Sequence, residues 1–273
     1  MNNCKDFYML DTGSPVADAV LNTLFTRLAA ALPDHLVAGY LEGSYADGTA
    51  LPTSDIDLLI VLRGGLYGSA INDQARAIMA ESKRTSPLEL DINLSDIEEL
   101  REDISPQFML GARLIYGADV RPELPPLDVT TWARERMHAA FRMVNHVFRR
   151  PLPVRWPLAL PQPERPWYGY AERTVRLDDG REIATTRDLV RVVGWIATAR
   201  VAYEADQVVV RKHEMASFYA RWINDRWTPL IAQIDQHCRQ AWQYRLPDDP
   251  AGQALLDDLL QQTPGFENDF AGR

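Results

Sequence analysis

The chain has 273 residues, 46% of them hydrophobic, enough to fill one large core or two ordinary ones, which points to a globular protein. Its formal net charge of −9 and pI near 5.1 speak against a protein whose main task is gripping nucleic acid, because neutralising phosphates needs a basic face. A cationic small substrate suits this field better. No apolar run reaches the roughly eighteen residues of a membrane span, and the opening Met1-Asn2-Asn3-Cys4-Lys5-Asp6 lacks the basic-then-apolar layout of a signal peptide, so a cytoplasmic protein away from membranes is expected. Cys4 and Cys238 stand far apart in no metal or disulfide spacing and are expected as free thiols.

Residues 15 to 31 space their large apolar side chains at three and four, as an amphipathic helix does, with Ser14 as N-cap and Pro15 at the first helical position. Residues 36 to 41 read as a buried strand running into the turn Gly43-Ser44, and residues 56 to 62 as a second strand closed by Gly64-Gly65. A helix is expected over 71–83. In residues 88 to 94, leucine and isoleucine alternate with Glu89, Asp91 and Asn93, the pattern of a half-buried strand. Residues 95 to 116 read as helical, capped by Ser95 with Glu98 three residues on and broken near Ser105-Pro106. Together these make an α/β (α+β) domain over 1–119 with helices packed on a mixed sheet.

The prolines Pro122, Pro125 and Pro126 mark 120–127 as a linker, and 128–273 as a mainly helical domain. Helices are expected over 128–149, 187–205 (capped by Thr186), 212–223 and 228–244. Residues 151 to 170 carry six prolines and cannot be a regular helix. Their aromatics should pack on something, with Trp167 and Tyr168 the pair expected to stand exposed. Asp179-Gly180 suggests a hairpin turn. The histidines His138, His146, His213 and His237 form no metal-ligand spacing with the cysteines.

The chemistry concentrates in the first half. Asp55 and Asp57 stand at the mouth of the second strand, one residue apart, so both point to one face while Ile56 turns to the other. Two carboxylates so placed repel each other unless a cation lies between them, and Mg²⁺, which takes hard oxygen ligands, is the natural candidate. Asp91 and Glu89, on a neighbouring strand, share a face roughly 6–7 Å apart, so one of them meets a substrate first. Gly43 suits a backbone that must come close to a ligand, and Ser44 offers a hydroxyl beside it.

Taken in order, Gly43-Ser44, Asp55-Ile56-Asp57 and Asp91 resemble the active site of the nucleotidyltransferase superfamily that includes polymerase β. The resemblance implies transfer of a nucleotidyl group from a nucleoside triphosphate with release of pyrophosphate. Asp55, Asp57 and Asp91 would hold one or two Mg²⁺ ions, Asp91 or Glu89 would take the proton of the acceptor hydroxyl, and Gly43, Ser44 and Ser54 would bind the nucleotide. In the second half, Ala199-Arg200-Val201-Ala202-Tyr203, the run Val208 to Ala216 and Ala241-Trp242-Gln243-Tyr244 resemble the helical substrate-binding domain of streptomycin/spectinomycin-type aminoglycoside adenylyltransferases. By that likeness Lys212 would reach the triphosphate and Tyr244 would help hold the nucleotide. Read without it, Lys212 is a solvated lysine at a helix start and Tyr244 a core or surface tyrosine.

The resulting expectation is a magnesium-dependent adenylyltransferase moving AMP from ATP to a hydroxyl of a small molecule, an aminoglycoside antibiotic in a resistance setting, and working as a monomer or weak dimer. Two rivals remain open: modification of a protein or tRNA in the manner of toxin–antitoxin members, and a catalytically silent nucleotide-binding protein of the same fold.

Overall fold

The computed structural model describes residues 11–102, 104–125, 128–176 and 181–272. It divides into two compact units, Met1–Leu127 and Asp128–Arg273.

In the first unit, α1 (Pro15–Ala31) starts where the Ser14 side chain accepts the Ala17 amide and Pro15 fills the first turn. Then come β1 (Leu36–Glu42), the short helix α2 (Gly43–Asp47), β2 (Ile56–Leu62), α3 (Ala70–Thr85) and β3 (Leu90–Asp96). Two further short helices, α4 (Ile97–Glu102) and α5 (Pro106–Gly111), lead into β4 (Arg113–Gly117). The sheet order is β3-β2-β1-β4. β2 and β3 run parallel, joined through α3, and the other pairs are antiparallel, so the sheet is mixed as expected.

The expected helix over 95–116 is corrected by this topology. Its last residues form β4 on the open edge of β1, where the run Leu114-Ile115-Tyr116 has the branched and aromatic character of a strand. The cap also moves by one residue: Asp96 accepts the Glu98 amide while Glu99 reaches back to the Asp96 amide, which is a capping box built on Asp96 and Glu99.

Each face of the sheet has its own core. Leu21, Leu24, Phe25 and Leu28 of α1 and Ala75 and Met79 of α3 pack on Ile56, Leu58, Ile60 and Leu62 of β2 and on Leu90 and Ile92 of β3. On the other face Ala38 and Tyr40 of β1 and Leu59 and Val61 of β2 pack with Ile97, Leu100 and Phe108 of α4 and α5. Gly39 keeps β1 close to α1, because a Cβ there would stand 2.2 Å from the Phe25 ring. Val120 and Leu124 join the second of these cores, and Tyr40 pins the same stretch by accepting the Val120 amide and donating to Asp119. Leu127, the last residue of the expected linker, lies outside the described residues.

The second unit holds α6 (Val129–His146), a small antiparallel pair β5 (Thr174–Arg176) and β6 (Glu182–Ala184), α7 (Arg187–Ala205), α8 (Met215–Trp222), α9 (Thr228–Gln233) and α10 (Pro250–Ala271). The expected turn residues Asp179 and Gly180 lie outside the described residues. Thr186 does not cap α7 with its side chain; its amide and hydroxyl instead donate to the Tyr244 carbonyl. The expected helix over 212–223 opens with a turn of tighter 3₁₀ winding, Lys212–Glu214, and that over 228–244 widens after Gln233 into a π-helical stretch ending at Ala241.

Residues 151–170 are irregular, as their prolines require, yet firmly tied. Leu158 and Asn268 exchange two hydrogen bonds, of 2.6 and 2.8 Å, and the Tyr168 hydroxyl donates to Asp257 at 2.6 Å. Trp167 and Tyr168 are half-buried against the core of this unit, which corrects the expectation of an exposed pair; the exposed aromatic is Trp156.

Beneath that segment the fully buried Glu267 takes a 2.6 Å bond from Arg150 and one from the Tyr170 hydroxyl. Burial pushes its carboxyl up to about 7, against the opposing pull of Arg150. A second buried cation, Arg200, is clamped by Glu204 and Asp225 at 2.7 Å each and donates to the Tyr219 hydroxyl. Burial works against that charge, but the two carboxylates more than offset it and hold its pKa above the usual arginine range.

Candidate active site

β2 organises the site. Six of its seven residues are buried, and Asp57 alone is half-exposed. Its even-numbered residues face α1 and α3, while Asp57 shares the other face with Leu59 and Val61. The register sets Glu42 of β1 opposite Asp57, and Asp57 opposite Asp91 of β3. Directly opposed residues share a face, so three acids form a row across three strands at one end of the sheet.

Asp55 reaches the same place from the turn before β2. That turn is closed twice, by the Ser54 amide donating to the Leu51 carbonyl and the Leu51 amide donating to the Ser54 hydroxyl at 2.9 Å. Ser54 is therefore buried and part of the scaffold that delivers Asp55. One oxygen each of Asp55, Asp57 and Asp91 lies within 4.8 Å of the others.

These donors suit a hard divalent cation. Mg²⁺ binds oxygens at about 2.0–2.1 Å, which places neighbouring ligands about 3 Å and opposite ones about 4 Å apart, close to the spread of the triad. The group offers carboxylate oxygens alone, with no thiolate or imidazole to favour a softer metal.

Gly43 and Ser44 follow Glu42 directly. Gly43 has φ +63°, in the left-handed region where a side chain is strained, and from it the chain leaves the sheet into α2. Ser44 stands half-exposed one residue on. Glu89 is exposed and precedes β3, whose ladder starts at Leu90 rather than Leu88; its carbonyl accepts the Ile56 amide at 2.9 Å. The backbone of Glu89 is thus tied to the start of β2, while its carboxylate is not one of the clustered three.

Lys212 and Tyr244 belong to the second unit. Lys212 is exposed where the 3₁₀ turn begins. Tyr244 is half-buried in a turn with φ +68°, its amide on the Cys238 carbonyl and its carbonyl on Thr186. Sequence reasoning missed Glu42. Its position just before Gly43-Ser44, at the end of a strand neighbouring Asp57, was the available signal.

Residues 26–115, which hold the three clustered acids, Glu42 and the Gly43-Ser44 turn, match the family model of the nucleotidyltransferase domain. The first unit carries a nucleotidyltransferase domain. The fold of the chain is similar to the crystal structure of the spectinomycin adenyltransferase AAD(9) from Enterococcus faecialis with ATP and spectinomycin. The TM-score is 0.54 at 13% identity, and the likeness covers 89% of this chain and 98% of that one. No curated protein gives a significant sequence match. The domain match supports a nucleotidyl-transferring enzyme, and the structural likeness extends to the fold of that adenyltransferase. Among the described residues no helix is long and apolar enough to cross a membrane.

Proposed function

We propose that the protein transfers AMP from ATP to a hydroxyl group of a small, cationic acceptor of the aminoglycoside class, with Mg²⁺, releasing pyrophosphate. The observation that carries this reading is the cluster of Asp55, Asp57 and Asp91 within 4.8 Å in a nucleotidyltransferase domain. The fold likeness to an adenyltransferase crystallised with ATP and spectinomycin supports the choice of donor and acceptor, and the net charge of −9 favours a cationic acceptor.

When bound, the metal would neutralise charge on the triphosphate and on the attacking and leaving oxygens. Asp55, Asp57 and Asp91 would hold it by one oxygen each. With Asp91 engaged there, Glu89, exposed two residues before it, would accept the proton of the acceptor hydroxyl. Ser44 would donate its hydroxyl to a phosphate oxygen beside the backbone of Gly43. Ser54 would act through the turn that aims Asp55, Lys212 would pair with triphosphate charge, and Tyr244 would steady the nucleotide.

The test is mass spectrometry of streptomycin, spectinomycin and other aminoglycosides incubated with the protein, ATP and Mg²⁺. An adenylyl group added to one of them, with one pyrophosphate per adduct, is the expected result. Pyrophosphate release without any adduct across the panel would refute the acceptor class, and absence of both would refute the reaction.

A further inference from the structure

With ATP as the proposed donor, we infer that Thr186 is a positioning residue for it: Thr186 locks a strained turn that holds the Tyr244 ring in place to stack on the adenine base. Gln243 and Tyr244 have φ of 50° and 68°, two successive residues with side chains in the left-handed region. Such a pair is costly and persists only where its surroundings over-determine it. Here hydrogen bonds do so from two sides. The turn follows the π-helical stretch that ends at Ala241, and the Trp242 and Tyr244 amides donate to the His237 and Cys238 carbonyls at 2.8 and 2.7 Å. From the start of α7 the Thr186 amide and hydroxyl both donate to the Tyr244 carbonyl, at 2.8 and 3.2 Å. Thr185 bridges to Arg245 and likewise gives both its amide and its hydroxyl, at 2.9 Å each, to the Arg173 carbonyl. The two threonines are 0% and 1% exposed, so these bonds form in a low-dielectric interior where they are stronger.

Packing of the side chain that bears the strain does not offset it. Trp242 and Leu246, two residues to either side, pack against the core of this unit. Tyr244 is not part of that core, and among the described residues its half-buried side chain makes no hydrogen bond and no ring contact. A firmly held, strained backbone that presents a ring without using it for stability has the form of a binding surface. An open aromatic face suits a flat purine, which stacks on it. The saturated rings of an aminoglycoside offer no such flat face, and a triphosphate calls for cations.

Isothermal titration of the full-length protein with MgATP and, separately, with magnesium tripolyphosphate tests this without any turnover. Thr186→Val keeps the side chain's shape and the amide bond but loses the hydroxyl; it should weaken ATP binding about fivefold and leave tripolyphosphate binding unchanged. Thr186→Ser should bind ATP as the wild type does. Tyr244→Ala should weaken ATP binding about tenfold, again without effect on tripolyphosphate. Adding Thr186→Val to Tyr244→Ala should weaken it no further, because the threonine acts through the ring. Equal ATP affinity in the wild type and in Tyr244→Ala, a side chain outside the core, overturns the inference even if Thr186→Val does not fold. An additive loss in the double variant, or a parallel loss of tripolyphosphate affinity in Thr186→Val, overturns it too, since either marks a threonine with a structural role only. A wild type that binds no ATP overturns the donor reading itself, and this inference with it.

Discussion

Replacing Asp57 by asparagine should make the protein more stable in the absence of divalent cations and inactive in their presence. Three like charges within 4.8 Å repel pairwise, and Asp57 takes part in two of the three pairs. At that separation each pair costs about 1 kcal/mol at the dielectric of water and about 3.5 kcal/mol at an effective value of 20. Asp91 is exposed and Asp55 and Asp57 are half-exposed, so the lower figure applies and Asp57→Asn relieves about 2 kcal/mol. Asparagine keeps the shape and one carbonyl acceptor, leaving the strand undisturbed. For a unit of this size the gain raises the melting temperature by about 7 °C in EDTA. Mg²⁺ at a hundredfold over its dissociation constant should add about 2.7 kcal/mol to the wild type, because it binds only the folded triad, and little to the variant. Thermal melts of both proteins in EDTA and in MgCl₂, with pyrophosphate release measured alongside, provide the comparison. A variant that melts below the wild type in EDTA, or gains as much from Mg²⁺, would refute the reading of the triad as a cation site.

Two more outcomes follow from other acids. Glu89→Gln should lower kcat by about 10² to 10⁴, as loss of a general base does, while the Mg²⁺-induced rise in melting temperature persists; unchanged turnover would move the proton-accepting role to Asp91. Glu267→Gln should alter the pH dependence of stability. With its carboxyl at about 7 when folded against 4.5 for an ordinary glutamate, Glu267 holds a proton in the folded chain that the unfolded chain releases between those values. Folding stability therefore falls as pH rises through that window, by up to about 3 kcal/mol at roughly 1.4 kcal/mol per unit, and the glutamine variant should lack this fall. Urea midpoints at pH 5 and pH 7 measure it, and equal pH slopes in the two proteins would contradict the burial argument.

Much of the first unit was legible because its residues answer to local rules. α1 announces itself by Ser14-Pro15 and a three-and-four pattern, and β2 by its unbroken apolar run, so their ends agree with expectation. β4 was not legible. Five residues of mixed polarity become a strand only because β1 offers an unpaired edge, which is a tertiary fact. α10 was missed although Asp249-Pro250 caps it and Leu255, Leu256, Leu259 and Leu260 keep helical spacing; Gly252, Pro264 and Gly265 mask the pattern in an isolated reading. Trp167 and Tyr168 were misjudged because an irregular segment carries no periodicity from which burial can be read.

The placement of the acids follows from solvation as much as from chemistry. β2 is the inner strand between β1 and β3, with helices against both faces, so a carboxylate in its middle would have to lose water without a partner. Only its first turn lies beyond Leu59 and Val61, the residues that α4 and α5 cover. The parallel register then brings the second residue of β3 level with the second of β2, and the antiparallel register brings in the last residue of β1. Acids can accumulate at this end of the sheet because three strand ends meet water there together. The same crowding would make a cation site there selective: a singly charged cation would offset little of the repulsion among the clustered carboxylates, whereas a divalent one would remove most of it.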